Sequence, residues 1–133
     1  MVLVDTSVMI GYLHGDRNDA VERFQYVLDS AIPFGINAFV YQEVLQGVMS
    51  EKDFAKVKKY LDTQRFYDLK DKRESFASAA RIYFKCRKRG ITVASTIDCL
   101  IAQTAIENDV YLLHSDADFD RISSVVNLKV FTL

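Results

Sequence analysis

The chain has 133 residues and carries 17 Lys plus Arg against 18 Asp plus Glu, for a formal charge of −1. That length predicts a single domain over residues 1–133, large enough to bury a core without cross-links, and an apolar half with one Pro excludes a disordered polymer. Balanced charge excludes a non-specific nucleic-acid coat but leaves room for a local basic face. Cys86 and Cys99 are too few for a disulfide framework, and no apolar run reaches the roughly 20 residues of a membrane span, so a cytoplasmic protein without a signal segment is expected.

Val2, Leu3 and Val4 form an apolar run without polar alternation, the pattern of a strand buried on both faces of a parallel sheet. Asp5 ends that run. Thr6 and Ser7 offer N-cap oxygens for a helix over residues 8–13, so the carboxylate falls at a strand-to-helix turn, the edge of an α/β sheet where ligands bind. After a break at Gly15, Asp16 and Asn18, helical spacing resumes through Val21, Phe24, Val27 and Leu28. Pro33 and Gly35 bracket a second strand at 34–36. Asn37 then caps a helix over 38–48 whose apolar arc has Glu43 at its margin.

Residues 51–62 predict a charged amphipathic helix with Phe54, Val57, Tyr60 and Leu61 inward and Lys52, Lys56, Lys58 and Lys59 outward. A weak strand is expected at 66–69. A long helix over 73–89 carries Phe76, Ala79, Ala80, Tyr83 and Phe84 along one side and stops at Gly90. Its last turn presents Lys85, Arg87, Lys88 and Arg89. As solvated surface these cations complement the helix dipole; as a functional face, Lys56, Lys59 and the 85–89 cluster are candidates for contact with a polyanion backbone.

In the helix expected at 95–107, Asp98 stacks on Ile101, Ala102 and Ala105, and Ser95-x-x-Asp98 also has the spacing of a capping box. The apolar strand at 110–113 runs into His114-Ser115-Asp116-Ala117-Asp118-Phe119-Asp120, repeating the strand-then-acid arrangement of Asp5. A short helix and a terminal strand at 130–133 close the chain. Strands alternating with helices predict an α/β fold, a central parallel sheet of about five strands with helices on both faces.

Asp5, Glu43, Asp98 and Asp116 thus fall where such a fold gathers functional groups. Carboxylates about 4 Å apart repel by about 4 kcal/mol per pair at an effective dielectric of 20. A cluster of that kind must retain protons or bind a cation, and with oxygen ligands alone the hard ions Mg²⁺ or Mn²⁺ are favoured. Metal-assisted phosphodiester hydrolysis is the matching chemistry.

Asp5-Thr6-Ser7, Glu43, the Ser95–Ala102 run and the 114–120 run together, in order and spacing, resemble the PIN-domain ribonucleases, specifically the VapC toxins of toxin–antitoxin pairs. The resemblance implies that Asp5, Glu43, Asp98 and Asp116 are the catalytic acids holding Mg²⁺ or Mn²⁺, with Thr6 supporting the first acid and Asp118 auxiliary. It also implies an RNA substrate, tRNA or rRNA, a cognate VapB-type antitoxin and a homodimer. Asn37 and Cys99 depart from commoner residues of that family. His14 and His114 have no assigned chemistry. The alternative reading is an inactive PIN-like module that binds RNA or protein; a phospho-accepting receiver domain lacks its acidic pair and terminal lysine here.

Overall fold

The computed structural model describes residues 1–93 and 95–132. Its elements follow the chain as β1 (Val2–Val4), α1 (Thr6–His14), α2 (Asp19–Asp29), β2 (Phe34–Ile36), α3 (Ala38–Gln46), α4 (Glu51–Asp62), β3 (Arg65–Phe66), α5 (Arg73–Lys88), α6 (Thr96–Glu107), β4 (Tyr111–Leu113) and α7 (Ala117–Ser123). The described strands form a parallel sheet in the order β3-β2-β1-β4. The chain leaves β1 to build β2 and β3 on one side, then returns to place β4 on the other. The strand order therefore reverses at the β1–β4 pair, and in such sheets ligands bind at the carboxyl ends of the strands beside that switch.

Val2, Leu3 and Val4 are at most 1 % exposed, as their unbroken apolar run requires. Their register pairs Leu3 with Gly35 on one side and with Leu112 on the other. Gly35 is needed by its surroundings: a Cβ there would lie 2.5 Å from the Arg65 carbonyl oxygen. Among the largest fully buried side chains, Phe24 and Phe119 accompany Leu3, Met9, Ile36 and Leu112.

Several elements differ from expectation. The first helix begins at Thr6 because Asp5 itself is the N-cap, its carboxylate accepting from the Ser7 backbone N–H. The strand expected at 66–69 is two residues, Arg65–Phe66, with the pairing ending in the Tyr67 N–H to Ile36 carbonyl bond of 2.8 Å. The terminal strand is reduced to one parallel bridge between Leu112 and Val130, flanked by bonds from Leu112 N–H to Lys129 O and from Phe131 N–H to Leu112 O, both 2.8 Å. β4 spans three residues and turns away at His114, which leaves little edge to pair with, and residue 133 lies outside the described residues. The described sheet accordingly has four strands rather than about five.

On α5 the buried positions are Ser75, Ala79, Ile82 and Cys86, while Phe76, Tyr83 and Phe84 are exposed. Ser75 can occupy the inner face because its hydroxyl accepts from Asp71 N–H at 2.9 Å and donates to Glu107 at 3.0 Å. On α4 only Leu61 is fully inward, and Phe54 faces solvent. Gly90 follows α5 with φ 71°, the left-handed stop that its position predicts.

Candidate functional site

Three helix starts and one helix face deliver acids to the carboxyl edge of the sheet. Asp5 follows β1 and caps α1; Asp116 follows β4 and caps α7 through the Asp118 N–H at 2.9 Å. The two turns are tied together, since Asp5 N–H donates to the Leu113 carbonyl at 2.9 Å. Asp98 sits in the first turn of α6, where Ser95 Oγ accepts from the Ile97 and Asp98 N–H groups at 3.1 and 3.4 Å. Among the described residues the Asp98 carboxylate returns no bond to Ser95. The capping box is therefore half used, and the carboxylate faces its acidic neighbours instead.

Glu43 comes from α3, which is locked to α6 at depth. Asn37 accepts from Val40 N–H at 2.9 Å as the α3 cap, and its amide donates to Thr104 Oγ1 of α6 at 3.1 Å, both buried. Asn37, which departs from the commoner cap residues, thus performs two tasks. It starts the helix carrying Glu43 and braces that helix against the one carrying Asp98.

Carboxylate oxygens of Asp98, Asp116 and Asp118 lie within 4.8 Å of one another. Asp5 and Glu43 stand outside that tightest set but remain close enough for their charges to act on Asp98. Burial first, then Asp116, Asp5, Asp118 and Glu43, push the Asp98 carboxyl up to about 7. Burial also raises Asp5, against hydrogen bonds from Ser7 and the Thr6 backbone that favour its ionised form, and Glu43 adds a further upward push. The acids of one sheet edge therefore share one field. All the ligand atoms are hard oxygens, and the repulsion among them is of the kind that a divalent cation relieves, so the residues present fit such an ion.

Supporting side chains are distributed differently from the sequence expectation. Ser7 clamps Asp5, its Oγ donating to Oδ2 at 2.7 Å, whereas the Thr6 hydroxyl donates to Glu43 Oε1 at 2.7 Å. Thr6 was expected to support Asp5; its side chain supports the second acid. Asp118 is buried in the acidic cluster, and Arg121 Nη1 donates to its Oδ1 at 2.6 Å. Arg121 escaped the sequence reading, although its i,i+3 spacing to Asp118 on a helix was a usable signal. Cys99 is buried beside the site. Burial, then Cys86 and Asp98, raise its thiol to about 11, so it carries no thiolate at neutral pH.

His114 is buried at the end of β4, as a structural residue there should be, and its Nδ1 accepts from Asp116 N–H at 3.1 Å. His14 is exposed at the end of α1. The cations Lys56, Lys59, Lys85, Arg87, Lys88 and Arg89 are all exposed. Arg87 and Lys88 lie 5.4 Å from the ring centres of Tyr83 and Phe84, and Arg89 donates to Ser124 O at 3.3 Å. Arg87 also lines a groove with Thr96 and Cys99, which brings that end of α5 beside the first turn of α6.

The PIN domain family model matches residues 2–125. Ribonuclease VapC11 of Mycobacterium tuberculosis and VapC ribonuclease Mb1587 of Mycobacterium bovis are each 31 % identical to the chain over 130 residues, covering 97 % of it and 96 % of the relative. Among solved structures, VapBC2 from Rickettsia felis bound to a promoter DNA fragment superposes with a TM-score of 0.75 at 15 % identity, covering 98 % of both chains. VapBC-1 from nontypeable Haemophilus influenzae gives 0.73 at 16 %, covering 98 % of this chain and 97 % of its own. These structural likenesses show the fold. Family model and sequence relatives together establish that the chain belongs to the PIN-domain family, among the VapC ribonucleases.

Proposed function

We propose that the protein is an endoribonuclease dependent on Mg²⁺ or Mn²⁺ and the toxin of a VapBC-type pair, with Asp5, Glu43, Asp98 and Asp116 as its catalytic acids and the ion's ligands. The observation that carries this reading is the convergence of carboxylate oxygens of Asp98, Asp116 and Asp118 within 4.8 Å of one another at the sheet edge, with Asp5 and Glu43 near enough for their charges to act on Asp98, because a fold retains such repulsion where a cation compensates it. The naming of the 31 % identical relatives as ribonucleases supports the substrate class, and the VapBC names of the solved neighbours support an antitoxin partner. RNA, in the form of tRNA or rRNA, is the proposed substrate, and the cytoplasm the proposed compartment. No described helix is long and apolar enough to cross a membrane.

When bound, the divalent ion supplies an activated water and neutralises charge developing on the phosphodiester. The protein's own residues fix where that chemistry occurs. Ser7 immobilises the Asp5 carboxylate through its hydroxyl and its N–H, and Thr6 holds one oxygen of Glu43. Asp98 and Asp116 come from separate helix starts and present oxygens across a gap of less than 4.8 Å. Asp118 stays in an auxiliary role, neutralised by Arg121. The exposed apolar face of α5, with Phe76 and Phe84 about half exposed, supports the proposed homodimer.

Incubation of the purified protein with tRNA and rRNA in Mn²⁺, in Mg²⁺ and in EDTA tests the reading. Cleavage is expected with either metal, none with EDTA, and none from Asp5→Asn or Asp98→Asn at unchanged far-ultraviolet circular dichroism. Full cleavage by either variant would refute the assignment of these acids, and RNA bound but left intact by the wild type would make the protein a binding module.

A further inference from the structure

Next to the acidic cluster lies a second recess of about 260 Å³, lined by Arg23, His114, Ser115, Asp116, Asp120 and Phe131 among others. Among the described residues, two of its nitrogen donors lack a hydrogen-bond partner. His114 is 7 % exposed, and because its Nδ1 accepts from the Asp116 N–H, the neutral imidazole carries its proton on Nε2. That Nε2 is buried without a hydrogen bond. Asp120 Oδ1 stands 3.4 Å away outside bonding geometry, on a side chain that is 69 % exposed at the rim. Arg23 Nε is likewise buried and unsatisfied, and Arg23 makes no ion pair among the described residues.

Buried donors of folded proteins are almost always satisfied, so two orphans on one recess point to something that the site receives. A single group that satisfies both nitrogens offers at least two acceptor oxygens and gains from a guanidinium, and beside a ribonuclease centre a backbone phosphate of the strand has that chemistry. Asp116 belongs both to this recess and to the acidic cluster, so the two sites adjoin and a strand held at the cluster can continue past the recess.

We propose that Arg23 and His114 form a phosphate subsite that grips, through Nε–H groups, the non-bridging oxygens of the phosphodiester flanking the scissile one on a single RNA strand. This rests on the ribonuclease reading and extends it to how the strand is registered. Arg23 and His114 are positioning residues, and binding rather than cleavage is the direct readout.

A fluorescein-labelled single-stranded RNA decamer, titrated with the intact protein in EDTA so that no cleavage follows, provides the test. Arg23→Gln should weaken binding about tenfold, as expected for a charge-assisted hydrogen bond. His114→Asn, whose side-chain oxygen can still accept from Asp116 N–H while the Nε2 donor is gone, should weaken it in the same direction. A set of decamers, each with one phosphate replaced by an uncharged methylphosphonate, locates the contact: at one position the substitution should cost the wild type about tenfold and the Arg23→Gln variant nothing further. Equal losses for wild type and variant at every position, or no loss in Arg23→Gln, would overturn the subsite while leaving the nuclease reading standing. No RNA binding by the wild type in EDTA would likewise overturn the subsite, whereas the nuclease reading would fall only with absence of cleavage in Mn²⁺ and Mg²⁺.

Discussion

Substituting Asp98→Asn removes one charge from the acidic cluster and should make the metal-free protein more stable, not less. A rise of the Asp98 carboxyl from 3.8 to about 7 corresponds to about 4 kcal/mol at full value. The side chain is half-buried, and solvent screening reduces this to about 2 kcal/mol. The sign follows from proton binding. Between about pH 4 and 7 the folded Asp98 keeps a proton that the unfolded chain has lost, so stability falls as pH rises through that window and the cost is fully present above it. Burial of Asp5 adds a contribution of the same sign. In EDTA at pH 8, Asp98→Asn should therefore unfold at higher urea. Its melting temperature should be about 6 to 10 °C higher, for about 2 kcal/mol in a domain of this size. At pH 4 the two proteins should converge. A variant less stable than wild type at pH 8, or wild-type and variant curves of the same pH slope, would refute the electrostatic account of the cluster.

Gly35→Ala places a Cβ 2.5 Å from the Arg65 carbonyl and should destabilise by about 1 to 3 kcal/mol, read as a lower urea midpoint; an unchanged midpoint would deny the close β2–β3 approach. Asn37→Ala loses the α3 cap and leaves Thr104 short of a buried partner, so a loss of about 2 kcal/mol is expected in the same assay, with reduced RNA cleavage as Glu43 loses its register. Charge reversal at Lys85 and Lys88 should weaken RNA binding alike for all sequences and flatten its salt dependence, whereas unchanged binding would assign these exposed cations to solvent.

The site was legible where chemistry and periodicity coincide. An apolar run ending in an acid marks the carboxyl end of a buried strand, and this occurs at Asp5 and again at Asp116. Asn37 and Gly90 announced helix ends because their side chain, or lack of one, suits those positions alone. The pattern was less informative where a distant partner decides. Whether Thr6 supports Asp5 or Glu43 depends on how α3 is placed, and that placement is set by Asn37 bonding to Thr104, 67 residues away. The inner face of α5 carries Ser75 in place of Phe76 because Glu107 of another helix satisfies the hydroxyl, which no spacing rule along α5 could reveal. Strand lengths at β3 and after β4 were overestimated for a similar reason: propensity permits pairing, but the neighbouring edge limits it.

Isothermal titration of Mn²⁺ into the metal-free protein at neutral pH addresses the cluster most directly. Saturable binding with release of protons from the raised Asp98 carboxyl, lost or strongly weakened in Asp98→Asn, is the predicted result. No saturable heat with the wild type, or undiminished binding by the variant, would contradict it.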